Sequence, residues 1–315
     1  MALQVAPVIL GIDVSQDWLD ICQHGSDQVE RIENNPRAIR ALLKRYGSAA
    51  MAVEATNIYH ETLVALAHGQ GFDVYLISGY QLKRYGESLG QRMRTDTVDA
   101  KLLARMLDRE IDRLRPYVPR SPRQIQLRRL LKRRALLVRQ CQQISQSLPG
   151  LGLDASLKSL QRRYREVIAL IDKRLSHLAN ELGWRTELAR LRSIPGVGPL
   201  TALALLEAWH AGSFTHRDPY IAFLGLDVKA KDSGKHTGKR KLTKQGNPET
   251  RRLLFNAAMA ATREGRHFAP TYQALQSRGF TKIQALVIIC RKLARLAFAL
   301  LKNQSSFDPK ACPAT

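Results

Sequence analysis

The chain has 315 residues, 50 Lys and Arg against 27 Asp and Glu, and a formal net charge of +23 at pH 7. Its hydrophobic content of 44% excludes wholesale disorder, and no apolar run approaches the roughly 18 residues that span a bilayer. Four cysteines (Cys22, Cys141, Cys290, Cys312) lie far apart with no CxxC pair, which argues against a disulfide framework or zinc ribbon and for a reducing compartment.

The opening MALQVAPVIL has no charged n-region, so no signal peptide is expected and the chain is placed in the cytoplasm. VILGIDVS (8–15) is a short apolar run ending in an acid. WLDICQH (18–24) alternates in polarity, and QVERIEN (28–34) is its pairing partner. Residues 36–47 have helical spacing, with Pro36 in the first turn and Gly47 as the stop. AAMAVEA (49–55) and FDVYLIS (72–78) read as further strands, and residues 60–69 as a helix. Residues 96–109 place Val98, Leu102, Leu103, Met106 and Leu107 on one helical face. Strands alternating with helices predict an α/β domain with a mixed sheet over residues 1–112.

Pro116, Pro119 and Pro122 predict a linker. Two long helices follow, at 123–148 and 153–182, joined by LPGLGL, so residues 113–183 read as a helical coiled-coil arm. From Arg113 to Leu153 there are ten basic residues and no acid. Such a helix, carrying Arg128, Arg129, Lys132, Arg133 and Arg134, is a phosphate-tracking surface or a dimerising arm, and both readings stand. The remainder, 184–315, predicts a mainly α domain. Its IPGVG turn (194–198) has the form of a helix-hairpin-helix turn, in which Gly196 and Gly198 let backbone N–H groups approach a phosphate. Residues 225–246 are rich in Gly and Lys without periodicity, and helices return at 247–263 and 281–302.

The charge is unevenly placed. Residues 1–110 hold 12 basic and 14 acidic residues, whereas residues 111–315 hold 38 and 13. Concentrated positive charge suits a polyanion, because each neutralised phosphate releases counterions. No basic amphipathic anchor supports a membrane surface instead. Within the near-neutral third, Asp13 and Glu54 end two strands, and Asp96 and Asp99 lie three apart at a helix start, sharing a face. An acid ending a buried strand is costly unless paired or holding a metal. Converging hard oxygen donors are the ligands of Mg²⁺ or Mn²⁺, and two such ions about 4 Å apart clamp both oxygens of a phosphoryl transfer. Taken singly, Asp96 also reads as an N-cap with Asp99 favoured by the helix dipole, and Asp13 and Glu54 as solvated strand ends.

GIDVS (11–15), VEATNIYH (53–60) and RTDTVDAKLLA (94–104) together resemble the three signatures of the DEDD transposases, the recombinases of a family of bacterial insertion sequences that also includes a pilin-gene invertase. Asn57 departs from the glycine usual there, and Asn tolerates the same left-handed backbone. The resemblance implies an N-terminal domain similar to Holliday-junction resolvases, with an RNase H-like fold, and Asp13, Glu54, Asp96 and Asp99 as a Mg²⁺ (or Mn²⁺) site. It further implies dimers and tetramers on donor and target DNA, guided by a structured non-coding bridge RNA. It maps the nucleophile onto Ser233 in VKAKDSGKHTGKRKLTKQGNPETRR (228–252), a segment with nine basic residues and two acids. Lys235, Lys239, Arg240 and Lys241 would then stabilise the charge that develops when a serine hydroxyl attacks a phosphodiester. His236 is a weak candidate for the base. Thr237, Thr243, Tyr80 and Tyr85 are poorer nucleophile candidates, and no HExxH or GxxxxGK[ST] spacing supports zinc or ATP chemistry. The loop alternatively only grips DNA. Three rivals therefore remain: a metal-dependent junction-resolving nuclease, a site-specific DNA invertase, and a non-catalytic nucleic-acid binder.

Overall fold

In the computed structural model, residues 8–310 are described apart from 56–57, 92–94, 149, 230–231, 234–235 and 238–239, with the backbone alone described at 232–233 and 236–237. The chain divides into two compact units, one ending at Pro119 and one beginning at Arg120.

In the first unit the apolar runs become strands: β1 (Ile9–Val14), β2 (Trp18–Gln23) and β3 (Val29–Glu33). Helix α1 (Pro36–Tyr46) follows, its Asn35 cap accepting the N–H groups of Arg37 and Ala38, with Pro36 at the first position and Gly47 at φ 63° past the end. Then come β4 (Ala50–Glu54), α2 (Glu61–Gly69), β5 (Asp73–Ile77), α3 (Gly79–Ser88) and α4 (Asp96–Glu110). The sheet order is β3-β2-β1-β4-β5, with β2 antiparallel to β1 and β3 while β4 is parallel to both β1 and β5. One reversed strand in a five-stranded mixed sheet is the RNase H-like arrangement that the sequence leads one to expect.

Period-two alternation divides this unit's core. Leu10, Ile12 and Val14 of β1 pack with Ile39, Leu42 and Leu43 of α1 and Leu63 and Val64 of α2 on one face. Ala50, Ala52, Tyr75 and Ile77 pack with Leu102, Leu103, Met106 and Leu107 of α4 on the other. Gly11 lies on this second face. A Cβ there would stand 2.1 Å from the Ala100 carbonyl oxygen and 2.3 Å from the Ala104 nitrogen, so only glycine lets α4 lie directly on β1. Asp13, two residues on, is carried by the same face toward the start of α4.

In the second unit, Pro122 opens α5 (Pro122–Ser147) rather than ending the linker, because Ser121 caps the helix in a box with Gln124. Helix α6 (Asp154–Glu181) returns antiparallel to it: Arg123 meets Glu181 at 3.0 Å, Arg134 meets Asp172, and Gln161 donates to Ser145 at 2.8 Å. The near end of this hairpin, Leu127, Leu131, Leu175 and Leu178, is sunk in the helical core. That core comprises α7 (Arg185–Arg192), α8 (Pro199–Trp209), α9 (Arg217–Phe223), α10 (Pro248–Ala261), α11 (Ala269–Ser277) and α12 (Lys282–Lys302). Helix α8 is buried on all sides from Thr201 to Ala208. Residues 225–246, aperiodic in sequence, contain two short antiparallel ladders. Strand β6 (Val228–Lys229) pairs with β9 (Lys241–Leu242), and β7 (Asp232–Ser233) pairs with β8 (His236–Thr237). Among the described residues, no helix is long and apolar enough to cross a membrane.

Candidate functional site

Two of the four predicted acids, Asp13 and Glu54, come together at the ends of β1 and β4, and Asp96 at the start of α4 is near enough for its charge to act on Asp13. Asp13 and Glu54 end adjacent parallel strands, close enough for Glu54 to act on the ionisation of Asp13. Burial, the hydrogen bond to Glu54, the charge of Glu54 and then that of Asp96 push Asp13 up to about 7, against a small opposing effect of the Val14 backbone N–H. Gly79, the first residue of α3, makes room for the partner: a Cβ there would stand 2.5 Å from Glu54 Oε1. Asp96 opens α4, but Thr95 is the cap, its hydroxyl accepting the Val98 N–H at 3.3 Å. Asp99 is buried one turn further along.

Sequence reasoning overlooked Asp20 and Arg31. The sheet register aligns Asp13 with Asp20 and Asp20 with Arg31, a row across β1, β2 and β3. Arg31 clamps the buried Asp20 with two 2.9 Å hydrogen bonds and reaches Asp96 Oδ2 at 3.1 Å. Like charges directly opposite on a sheet repel, and the guanidinium offsets this. The available signal was an acid at a sheet-facing position of WLDICQ opposite the arginine of VERIE.

Among the described residues, no group of three His, Cys, Asp or Glu is arranged to hold a metal ion. Asp13 and Glu54 are engaged with each other, and Asp96 is engaged with Arg31. The donor chemistry of the pair nonetheless fits a hard divalent cation: Asp13, whose ionisation is opposed by burial, Glu54 and Asp96, gains when a cation takes the place of its proton.

Ser233 lies in the outer of the two ladders, in register with His236. The inner ladder is closed by the Thr243 N–H to the Asp227 carbonyl at 3.0 Å and by the Thr243 hydroxyl to the Asp227 carboxylate. The loop returns at Gly246, where a Cβ would stand 2.5 Å from the Phe223 carbonyl oxygen, and Asn247 caps α10 by accepting the Glu249 N–H. Arg240 and Lys241 are exposed beside the inner ladder. Asn57, Gly234, Lys235 and Lys239 lie outside the described residues.

The basic residues of α5 fall into two groups. Lys132 and Arg133 are exposed, as is Arg129. Arg134 instead makes a bidentate pair with Asp172 of α6, its Nη2 to Oδ2 distance 3.0 Å, and its side chain is only 17% exposed. Arg128 stands 4.0 Å from the buried Glu207, which Arg120 approaches to 3.6 Å. Gly196, at φ +85°, owes its identity to α10: a Cβ there would stand 2.4 Å from the Ala257 carbonyl oxygen. Gly198, in front of α8, has open space around it.

Two family models match the chain. Residues 10–151 match the DEDD transposase model of the IS110 type, and residues 188–273 match the transposase IS116/IS110/IS902 family. The pilin gene-inverting protein of Moraxella bovis is 29% identical, over 96% of this chain and 98% of the relative. The transposase for insertion sequence element IS1111A of Coxiella burnetii is 25% identical, over 95% and 91%. Among solved structures, Thermus thermophilus RuvC in complex with a Holliday junction substrate is 15% identical and covers 35% of this chain and 99% of its own, with a TM-score of 0.28.

Proposed function

We propose that this chain, a transposase of the IS116/IS110/IS902 family by its two family matches, cuts and rejoins DNA through Ser233. The Ser233 hydroxyl oxygen attacks the scissile phosphorus. The new Oγ–P bond replaces the bond to the 3′ oxygen, which departs as a free 3′-hydroxyl carrying, in the balance, the serine's proton. Attack by the 3′-hydroxyl of another strand reverses the step, restoring the serine and joining new partners without hydrolysis. Arg240 and Lys241, together with Lys235 and Lys239, are the cations of this loop that offset the phosphorane charge.

One observation carries the reading: two carboxylates at the ends of adjacent strands, Asp13 and Glu54, lie close enough to interact, with Asp96 near enough for its charge to act on Asp13. With Asp99 they are the proposed ligands of Mg²⁺ or Mn²⁺, which when bound would neutralise charge on the phosphate oxygens. Arg31 holds Asp96 in place over the pair.

The proposal extends to partners. Residues 113–183 are a self-association arm, because Leu153 at the cap of the second arm helix and Leu160 and Val167 along it repeat at intervals of seven and are 48%, 42% and 45% exposed. Dimers and tetramers would form through it. The excess positive charge of residues 111–315 also suits a structured guide RNA beside donor and target DNA. The pilin gene-inverting relatives, which span nearly the whole chain, favour a second form of the same chemistry, inversion of a segment rather than transposition.

The test is denaturing electrophoresis after incubation with a nicked suicide DNA and Mg²⁺. The parent chain yields a covalent protein–DNA adduct, and Ser233→Ala yields neither adduct nor exchange. Normal cleavage by Ser233→Ala would overturn the serine assignment in favour of a metal-dependent nuclease.

A further inference from the structure

A groove in the second unit concentrates positive charge on residues outside the serine loop and the hairpin arm. It runs between the start of α9 and the C-terminal half of α12, with a volume of about 370 Å³. Its walls carry Arg217, Lys292, Arg295 and Lys302, and its floor is apolar, formed by Leu296, Phe298 and Ala299. On α12 the cations fall at positions i, i+3 and i+10, one side of the helix. Arg295 is exposed, and the Arg217 side chain is 64% exposed. Two of the cations are braced: Lys302 donates to the Thr215 carbonyl at 2.7 Å and sits over the Phe298 ring, while Lys292 sits over the Phe268 ring. Bracing fixes where the charges lie before anything binds, which lessens the ordering entropy of association.

The positive charge is only partly offset. Asp218 lies 3.9 Å from Arg217, and it and Asp227 are the acids that act on Arg291, the next cation along the helix. Against them stand Arg217, Arg295 and Lys302 of the groove, with Arg291 beside it on the helix. Arg291 has a buried Nε without a hydrogen-bond partner, and burial together with the neighbouring Arg295 weakens its hold on its proton. Crowded like charges over an apolar floor are relieved by an anion, and a low-dielectric wall strengthens that attraction.

We propose that this groove is a DNA-backbone site, in which Arg217, Lys292, Arg295 and Lys302 contact neighbouring phosphates of a duplex. The proposal rests on DNA being the substrate. From Lys292 to Lys302 the helix rises about 15 Å, long enough to face several phosphates of a duplex, whose two strands together carry one charge per about 1.7 Å of axis. Single-stranded RNA is favoured by exposed stacking rings, and the ring in this floor, Phe298, is buried. What the groove presents is positioned positive charge without an exposed stacking ring, which suits contact with a phosphate backbone.

The experiment measures the affinity of the full-length chain for a 30-base-pair duplex by fluorescence anisotropy across a salt series, with circular dichroism confirming the fold of each variant. Arg217→Gln/Arg295→Gln lowers the slope of log affinity against log salt by about 2, since each phosphate contact contributes about 0.9. Arg37→Gln/Lys44→Gln, which removes the same charge from exposed positions of the first unit, leaves the slope within error of the parent. An unchanged slope in the groove variant, or an equal loss in both variants, overturns the proposal while leaving the DNA reading intact. A loss seen with a structured RNA of equal length but not with the duplex overturns the assignment to DNA. Absence of duplex binding by the parent chain overturns the reading beneath it.

Discussion

Asp13 is the residue on which the chemistry and the stability of the first unit meet. Its carboxyl is held near pH 7 in the fold against 3.8 in an unstructured chain. Between those values the folded state keeps a proton that the unfolded state has lost, so this group's contribution to stability falls as pH rises through that window and is flat above it. Asp13→Asn removes the penalty. The melting temperature of the metal-free variant should exceed that of the parent at pH 8 and match it near pH 4, as read by differential scanning calorimetry. A lower melting temperature at pH 8 would show that the ionised carboxylate is not under strain there. The same proton competes with a cation, so Mn²⁺ affinity measured by calorimetry should weaken about tenfold for each pH unit below 7. An affinity flat from pH 5 to 8 would remove Asp13 from the ligand set. Arg31 acts on the same cluster from the far side, through Asp96 and Asp20. None of this was legible from spacing. GIDVS and VEATN mark the strand ends, but the row Asp13–Asp20–Arg31 exists only once three strands are in register.

At the scale of elements, Gly11 decides how closely α4 approaches β1. Gly11→Ala forces an added methyl into the Ala100 carbonyl oxygen and the Ala104 nitrogen, and overpacking of this kind costs about 1–3 kcal/mol. Urea denaturation should show that loss, and an unchanged midpoint would mean that α4 is free to shift outward. The hairpin arm makes a second test. Arg134 is tied to Asp172, so Arg134→Gln should lower stability and leave the salt dependence of DNA binding unchanged, whereas Lys132→Gln/Arg133→Gln should lower the slope by about 2 at constant stability. The reverse pattern would exchange the roles of these neighbours. Elements with a continuous apolar run or a strong period were readable from sequence: β1, β4, β5, the arm helices and α12 fall within a few residues of expectation. Helix α3 was not, because Gly79, Gly86 and two tyrosines dilute its period and few of its side chains are buried. Its capping box, Ser78 with Gln81, was the signal available. The ladders around Ser233 are two residues long per strand, too short for any period to register.

For the whole molecule, the charge step near residue 111 separates two kinds of work. The first unit has a near-balanced charge because its acids include the Asp13 cluster, and the second carries nearly all the excess positive charge. Sequence placed that charge on α5 and the serine loop. The fold withdraws part of it into ion pairs, at Arg134 and Arg120, and adds the groove between α9 and α12, whose cations are 75 or more residues apart in sequence between Arg217 and the rest. On the proposed mechanism, strands are exchanged through Ser233 and not hydrolysed. Running the reaction in H₂¹⁸O with Mg²⁺ and analysing the DNA products by mass spectrometry tests it most directly. Exchange through a phosphoserine link predicts rejoined phosphodiesters free of ¹⁸O. Cleaved strands bearing one ¹⁸O on a 5′-phosphate, in equal yield from the parent and from Ser233→Ala, would contradict it.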